Sequence, residues 1–296
     1  MRRLSACSHI WSNMDGRDDR DATSAGDAVN VRHASPASVL PRSPLSVLLL
    51  ARDETRDLET LIPSLAFARE VVVVWDPRGE RATRDAAERL GARVCERAFD
   101  GFGPQRAFAL AQCTQDWVLW LDADERLDGA AAASVRRVAG AQDAAATHYR
   151  LARATWFLGR RIHFCGWQGE SIVRLFQRAN ARFDAAAVHE TVHVTGAGPG
   201  RLAGEIEHHS YRTFADCTAK CVRYATAGAQ QAYARGRRAS VLDVLMRPPL
   251  RFVRQYVLQF GFLDGAHGLV LCGLAAVQVF LKYAELWQRS RAGSRA

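Results

Sequence analysis

The sequence predicts an α/β protein: a doubly wound, mostly parallel sheet followed by a helical C-terminal region. Three observations carry this. Between Leu45 and Glu125, short apolar runs alternate four times with helix-period segments, the pattern of βαβ units. Asp53, Asp76, Asp122 and Asp124 fall just past the ends of the apolar runs, where open α/β sheets place their sites. From 213 to 288 the composition turns helical, and from Arg201 onward fourteen Arg/Lys stand against six Asp/Glu, which is +8 of the net +9.

The elements follow in order. Residues 1–44 are rich in Ser, Ala, Asp and Arg, hold Pro36, Pro41 and Pro44, and show neither helical nor strand periodicity, so they are expected to be a disordered extension or a start codon placed too early. LSVLLLA, from Leu45, reads as a buried parallel strand. ETRDLETLIPSLAFA puts Leu58, Leu61, Ile62 and Leu65 on one helix face. EVVVVWD, 70–76, is a second strand. Ala82–Leu90 is a helix ended by Gly91, and ARVCE is a third strand. A helix is expected over 103–113, then a fourth strand in DWVLWLDADE. THYRLAR and RLFQR read as further strands among Trp- and Gly-rich segments.

With 48% apolar and 24% charged residues, the 296-residue chain can bury a core, which excludes disordered, collagenous and coiled-coil classes. Seven scattered cysteines without a CxxC pair exclude a zinc ribbon or disulfide scaffold and suit reduced thiols in the cytoplasm. The N-terminus shows no apolar signal segment. Neither GxGxxG nor GxxxxGK[ST] occurs, so a diphosphate would need a metal and side chains such as Arg106.

Asp122-Ala123-Asp124-Glu125 is the strongest motif. Two carboxylates two residues apart at a strand end suit an oxygen-ligated Mg²⁺ or Mn²⁺ shared with a diphosphate; an acidic turn capping the next helix is the plain alternative. Asp76 is placed to accept from a base or ribose, or is a polar strand end, and the same two readings apply to Asp53 and Glu54. Trp156 and Trp167 are either sugar-stacking or core aromatics.

SVLLLARDE, EVVVVWD, GFGPQRAFAL, DWVLWLDADE, TWFLGR, GWQGESIVRLFQR, AVHETVHV and HHSYR occur in this order. The chain thereby resembles the inverting family-2 glycosyltransferases, and within them the branch that adds β-1,4-glucose to the lipopolysaccharide inner core. The resemblance covers about 45–288. It implies a GT-A fold, a nucleotide-sugar donor (a UDP-hexose) and a lipid-linked oligosaccharide acceptor. It further implies that Asp122 and Asp124 bind Mg²⁺ or Mn²⁺, that Asp76 lies near the uridine, that Glu54, Gln105 and Arg106 face the donor with Asp122, and that His208 or His209 reaches the metal. Glu170 stands where the family carries a catalytic aspartate, and His189-Glu190 is its HE pair. Glu170 and Glu190 are therefore both candidates for the catalytic base, with Glu170 placed first because a loop flanked by Trp167 suits an acceptor wall. Arg81 stands where a second acid is usual, and Ala107 where an Asn is.

The chemistry agrees. Sugar transfer needs counter-charge for a leaving diphosphate and a separate carboxylate to take the acceptor proton. In the C-terminal region, Arg247, Arg251 and Arg254 recur beside Leu250, Val253, Val257 and Phe260, the pattern of a helix lying in an anionic membrane interface. The apolar stretch 268–281 is only fourteen residues, short of the ~20 a span needs, so a monotopic segment or re-entrant hairpin is expected. The division is thus 1–44 extension, 45–212 GT-A domain and 213–296 membrane-associated helices, at the cytoplasmic face of the inner membrane, peripheral or monotopic. The alternative is a non-catalytic glycosyltransferase-like protein that binds nucleotide sugar or lipid. A nucleic-acid binder is excluded, because the basic residues alternate with aliphatic helices instead of aromatics on a sheet face.

Overall fold

The computed structural model describes residues 42–183 and 192–292. The expected extension and the pair His189-Glu190 lie outside the described residues, the extension save for its last positions, 42–44. The elements are β1 (Ser43–Ala51), α1 (Thr55–Ser64), β2 (Ala68–Trp75), α2 (Arg81–Arg89), β3 (Arg93–Glu96), α3 (Phe102–Gln112), β4 (Trp117–Trp120), β5 (Glu125–Leu127), α4 (Gly129–Ala139), β6 (His148–Phe157), β7 (Arg160–Arg161), β8 (Ser171–Gln177), β9 (Ala181–Phe183), β10 (Val192–Val194), β11 (Gly200–Tyr211), α5 (Phe214–Ala234), α6 (Val241–Val253) and α7 (Gly265–Ala292).

The main sheet runs β3-β2-β1-β4-β8-β6-β11-β5, with β7 on β6. The first four strands are parallel, as the alternating apolar pattern requires. From β8 onward the sheet is mixed: β8 is antiparallel to β4 and β6, β11 is parallel to β6, and β5 closes the edge antiparallel to β11. Strand period decides the two faces. Val47 and Leu49 of β1 pack with Leu58 and Leu61 of α1 and Val135 of α4. Leu48 packs on the other side with Ala109 and Leu110 of α3 and Phe176 of β8. A sheet covered on both faces is the α/β architecture the sequence predicts. Gly91 sits past α2 at φ +83, the left-handed position that favours glycine.

The C-terminal helices dock on the far end of β6. Phe157, Ile162, Cys165 and Trp167 form a core with Tyr211, Cys217, Leu271 and Cys272. Buried Asp264, just before α7, accepts the backbone N–H groups of His163 (3.1 Å) and Phe164 (2.8 Å), tying the two regions together.

Three expectations are corrected here. Residues 268–281 form no hairpin; they are the middle of the 28-residue helix α7, which Lys282, Glu285 and Gln288 continue past the apolar stretch. By length and composition that helix is long and apolar enough to cross a membrane, and the fourteen-residue count missed this because polar residues extend it. Next, the basic face is only partly as expected: Arg247 and Arg254 are exposed, but Arg251 is not. Arg247 pairs with Asp243 (2.7 Å) and lies over the Tyr283 ring, and Arg251 is half-buried, its pKa drawn down to about 10 by burial and then by Arg254. Leu250, Val253, Val257 and Phe260 are exposed, as the apolar face requires. Last, Trp167 is a core residue against Tyr211, so it builds no acceptor wall.

Candidate active site

β4 ends at Trp120, and the chain then turns through Asp122-Ala123-Asp124-Glu125 into β5. The turn is fixed by Glu125, whose side chain is fully buried. One carboxylate oxygen accepts the Asp122 N–H (3.0 Å) and the other accepts from Arg174 Nη2 of β8 (2.6 Å). The same Arg174 nitrogen reaches Asp122 Oδ2 at 2.9 Å, and Arg106 Nη2 of α3 lies 3.5 Å from Oδ1. The guanidiniums of Arg106 and Arg174 each lie 4.2 Å from the Trp120 ring, which carries them through an otherwise apolar place. Burial opposes ionisation of Asp122, but Arg174 and Arg106 outweigh it and hold the carboxyl below its usual range. Burial likewise works against the Arg174 charge, yet Glu125 and Asp122 raise its pKa on balance.

Asp124 meets β11. Its carbonyl accepts the His209 N–H at 2.9 Å, and its Oδ2 lies 3.3 Å from His208 Nε2. His208 is buried by pairing with Thr155 of β6 and Glu125 of β5. His209 turns away and stacks on Trp156, 5.3 Å between centroids. Of the two histidines, therefore, His208 faces the acidic turn. Buried Arg153 of β6 links the parts: it reaches the His208 ring, lies 3.7 Å from Glu125 and sits 3.6 Å from Glu170 Oε2. Glu54 folds back on the Arg52 and Asp53 N–H groups. Burial chiefly, with the charges of Asp53 and Asp124, raises its pKa, which places Glu54 within electrostatic reach of Asp124.

Asp76 and Gln105 sit further along the strand ends. The Asp76 N–H donates to Ala51 at the end of β1, and its buried carboxylate is gripped by Arg78 through 2.9 and 2.7 Å bonds that hold its pKa down to about 2. Gln105 gives its amide N–H to the Arg97 carbonyl at 3.0 Å. The structure thus gathers Glu54, Arg106, Asp122, Asp124, Glu170 and His208, with Asp76 and Gln105 at the border. Sequence reasoning missed Arg78, Arg153 and Arg174 as members of the site and Glu125 as its organiser. Glu125 was legible as the fourth residue of the acidic motif; the arginines carried no local signal.

Two carboxylates suit Mg²⁺ or Mn²⁺. Among the described residues no three metal-binding side chains converge. The Asp124–His208 pair beside Asp122 is a half-site, and Mg²⁺ is commonly held by one or two carboxylates plus substrate phosphates. The donor set fits a cation that arrives with a diphosphate.

Residues 46–186 match the sequence profile of Glycosyl transferase family 2. The chain is 27% identical over 261 residues to the lipopolysaccharide core biosynthesis glycosyltransferase LpsC of Rhizobium meliloti (strain 1021), covering 85% of this chain and 94% of that protein. It is 34% identical over 83 residues to an uncharacterized glycosyltransferase of Rickettsia conorii (strain Malish 7), 28% of this chain and 29% of that one. Among solved structures it is similar to a mycobacterial protein (16% identity, TM-score 0.38, 63% of this chain and 74% of that chain). It is also similar to Mycobacterium tuberculosis glucosyl-3-phosphoglycerate synthase in complex with Mn²⁺, UDP and glucosyl-3-phosphoglycerate (18% identity, TM-score 0.34, 46% of this chain and 57% of that chain). At those scores neither structural likeness carries weight. The sequence matches do: residues 46–186 fit the Glycosyl transferase family 2 profile, and the similarity to LpsC runs over most of both chains.

Proposed function

We propose that this chain is a family-2 glycosyltransferase that moves a hexose from a UDP-sugar to a lipid-linked acceptor in lipopolysaccharide core assembly, at the cytoplasmic face of the inner membrane. The observation that carries the reading is the acidic turn after β4, with Asp122 beside buried Arg106 and Arg174 and Asp124 beside His208. The similarity to LpsC over 94% of its length supports the core-assembly class.

Asp122, Asp124 and His208 would hold the divalent cation, which supplies counter-charge for the leaving diphosphate. Arg106 and Arg174 add positive charge at the same place and keep Asp122 ionised. Asp76 accepts from the base or ribose, and Arg78 must yield part of its grip for that to happen. Glu170 takes the acceptor hydroxyl proton, and Arg153 orients it. Glu54, Gln105 and Arg106 line the donor side, and Glu190 is the rival base. Residues 45–212 hold this chemistry, and 213–296 meet the membrane. Leu242, Leu245, Leu250, Leu258 and Leu263 are each more than half exposed, an arrangement that a lipid surface favours and water does not.

The test is a panel of UDP-sugars with the purified protein, with EDTA and after adding back Mn²⁺ or Mg²⁺. Transfer that stops in chelator and returns with metal is expected. Full transfer in EDTA, or no turnover of any donor, overturns the reading. Glu170→Gln should keep UDP binding and lower kcat by about 10²–10⁴-fold. If Glu190→Gln does this instead, the base is Glu190.

A further inference from the structure

The helical region holds a second concentration of charge, built from elements that take no part in the acidic turn. Ala232 near the end of α5, Arg237 and Arg238 in the following loop, Arg247 of α6, and Lys282, Tyr283 and Leu286 of α7 line a cavity of about 290 Å³. Four of those seven residues are cationic. Nearby carboxylates are already engaged: Asp243 holds Arg247 at 2.7 Å and caps α6 through Ser240, and Glu285 holds Arg289 at 2.7 Å. Lys282 makes no ion pair among the described residues. Burial first, then Arg237, Arg247 and Arg235, lowers its pKa, as expected for an ammonium surrounded by its own sign. The packing accommodates it nonetheless. Gly228 of α5 faces the Lys282 stem, and a Cβ there would lie 3.3 Å from its Cδ and Cε. The Tyr283 ring lies beneath Arg247 at 4.6 Å and near Lys282 at 5.9 Å.

Cations crowded around a cavity repel one another and destabilise the empty fold, so an anion is the complement. The cavity is at the small end of ligand pockets, the size of a polar headgroup. Its setting narrows the choice. α6 gives Arg247 to the cavity wall, and on its adjacent exposed face it carries Leu242, Met246 and Leu250 at i, i+4 and i+8. A cationic cavity beside an exposed apolar stripe matches an amphiphile with a phosphate head.

We propose that the cavity of Arg237, Arg238, Arg247 and Lys282 seats the phosphate of one anionic phospholipid, whose acyl chains lie along the exposed face of α6. This rests on the reading that α6 and α7 meet a bilayer, and it adds a headgroup-selective site to that surface.

The full-length protein is floated with three vesicle types: phosphatidylcholine alone, phosphatidylcholine with phosphatidylglycerol, and phosphatidylcholine with oleate at matched surface charge. Phosphatidylglycerol should bind more tightly than charge-matched oleate. Lys282→Gln and Arg238→Gln should each weaken phosphatidylglycerol binding about fivefold. Lys282→Arg should restore it, and Arg223→Gln outside the cavity should change it less than twofold. Equal binding to both anionic vesicles, or variants that bind as wild type does, overturns the site. A melting experiment guards against misfolding. Without ligand, Lys282→Gln should melt no lower than wild type, since it relieves repulsion; a large fall overturns the proposal. Monomeric short-chain phosphatidic acid should raise the wild-type Tm and not the variant's, and inorganic phosphate at the same concentration should raise neither. Phosphate acting as strongly as the lipid would overturn the lipid assignment. Wild-type binding to plain phosphatidylcholine reads the apolar surface alone, so its failure with an intact short-chain lipid response counts against the membrane reading and not the cavity.

Discussion

At the strand ends, Arg174 and Glu125 are buried and paired, and Leu48, Val73 and Leu119 are buried core; in the α6–α7 region, Leu242, Leu250 and Leu258 face outward while Arg251 is half-buried and exposed Arg247 lies over Tyr283 of α7. The first arrangement is that of a polar site inside a water-soluble fold. Its ions are buried because each has a partner of opposite sign within hydrogen-bond reach, which offsets part of the desolvation cost. The second is less favourable in water, where exposed leucines gain nothing and half-buried Arg251 loses hydration. The difference teaches that the first region keeps its charges by pairing them inside the fold, whereas the second presents apolar side chains, which suits the proposed lipid contact.

The comparison can be broken most decisively at the polar end. Asp124→Ala should lower transfer by about 10³-fold or more, because the proposed cation would lose a ligand beside the leaving diphosphate, while the circular dichroism spectrum stays that of the wild type. Retained transfer would show that the turn is a cap and no metal site. Glu125→Gln strikes the fold itself. It removes the fully buried partner of the Arg174 and Arg153 guanidiniums, leaving them Asp122 and Glu170 as counter-charges, and breaking a buried pair costs up to about 3–5 kcal/mol; urea denaturation measures it, and a change below about 1 kcal/mol would show that water reaches the cluster.

Asp76 offers a milder and pH-specific probe. Its folded pKa, about 2, lies below the ordinary 3.8, so its contribution to stability is whole above about pH 4 and disappears as pH falls through about 2. Acid titration of stability should therefore be shallower in Asp76→Asn over that window; parallel curves would mean Arg78 does not hold the carboxylate in solution. The smallest effect on stability is expected at the other end. Leu242→Ser, Leu250→Ser and Leu258→Ser together should shift the melting temperature little, since surface changes are usually within about 0.5 kcal/mol each, yet move the protein from vesicles into the soluble fraction. A steep fall in melting temperature would instead reveal a packed face.

Much of the frame was legible because it depends on neighbours in sequence. The apolar runs at 45–51 and 70–76 mark buried strands by composition, Gly91 ends α2 by its backbone freedom, and Asp122 and Asp124 follow a strand by spacing alone. The same local patterning gave the helices after 213 and the excess of positive charge they carry. Tertiary structure decided what depends on distant partners. Arg153 meets His208 55 positions away, and Arg174 meets Glu125 49 away, so no window of sequence could show that these residues share a site with Glu170. β5 and β11 were invisible because three residues, or a polar strand on the sheet's mixed side, leave too little period to read. Trp167 became core, and Arg251 became half-buried, because periodicity fixes which residues share a face but not which way that face points. That direction is set by what packs against it, as Tyr211 does beside Trp167.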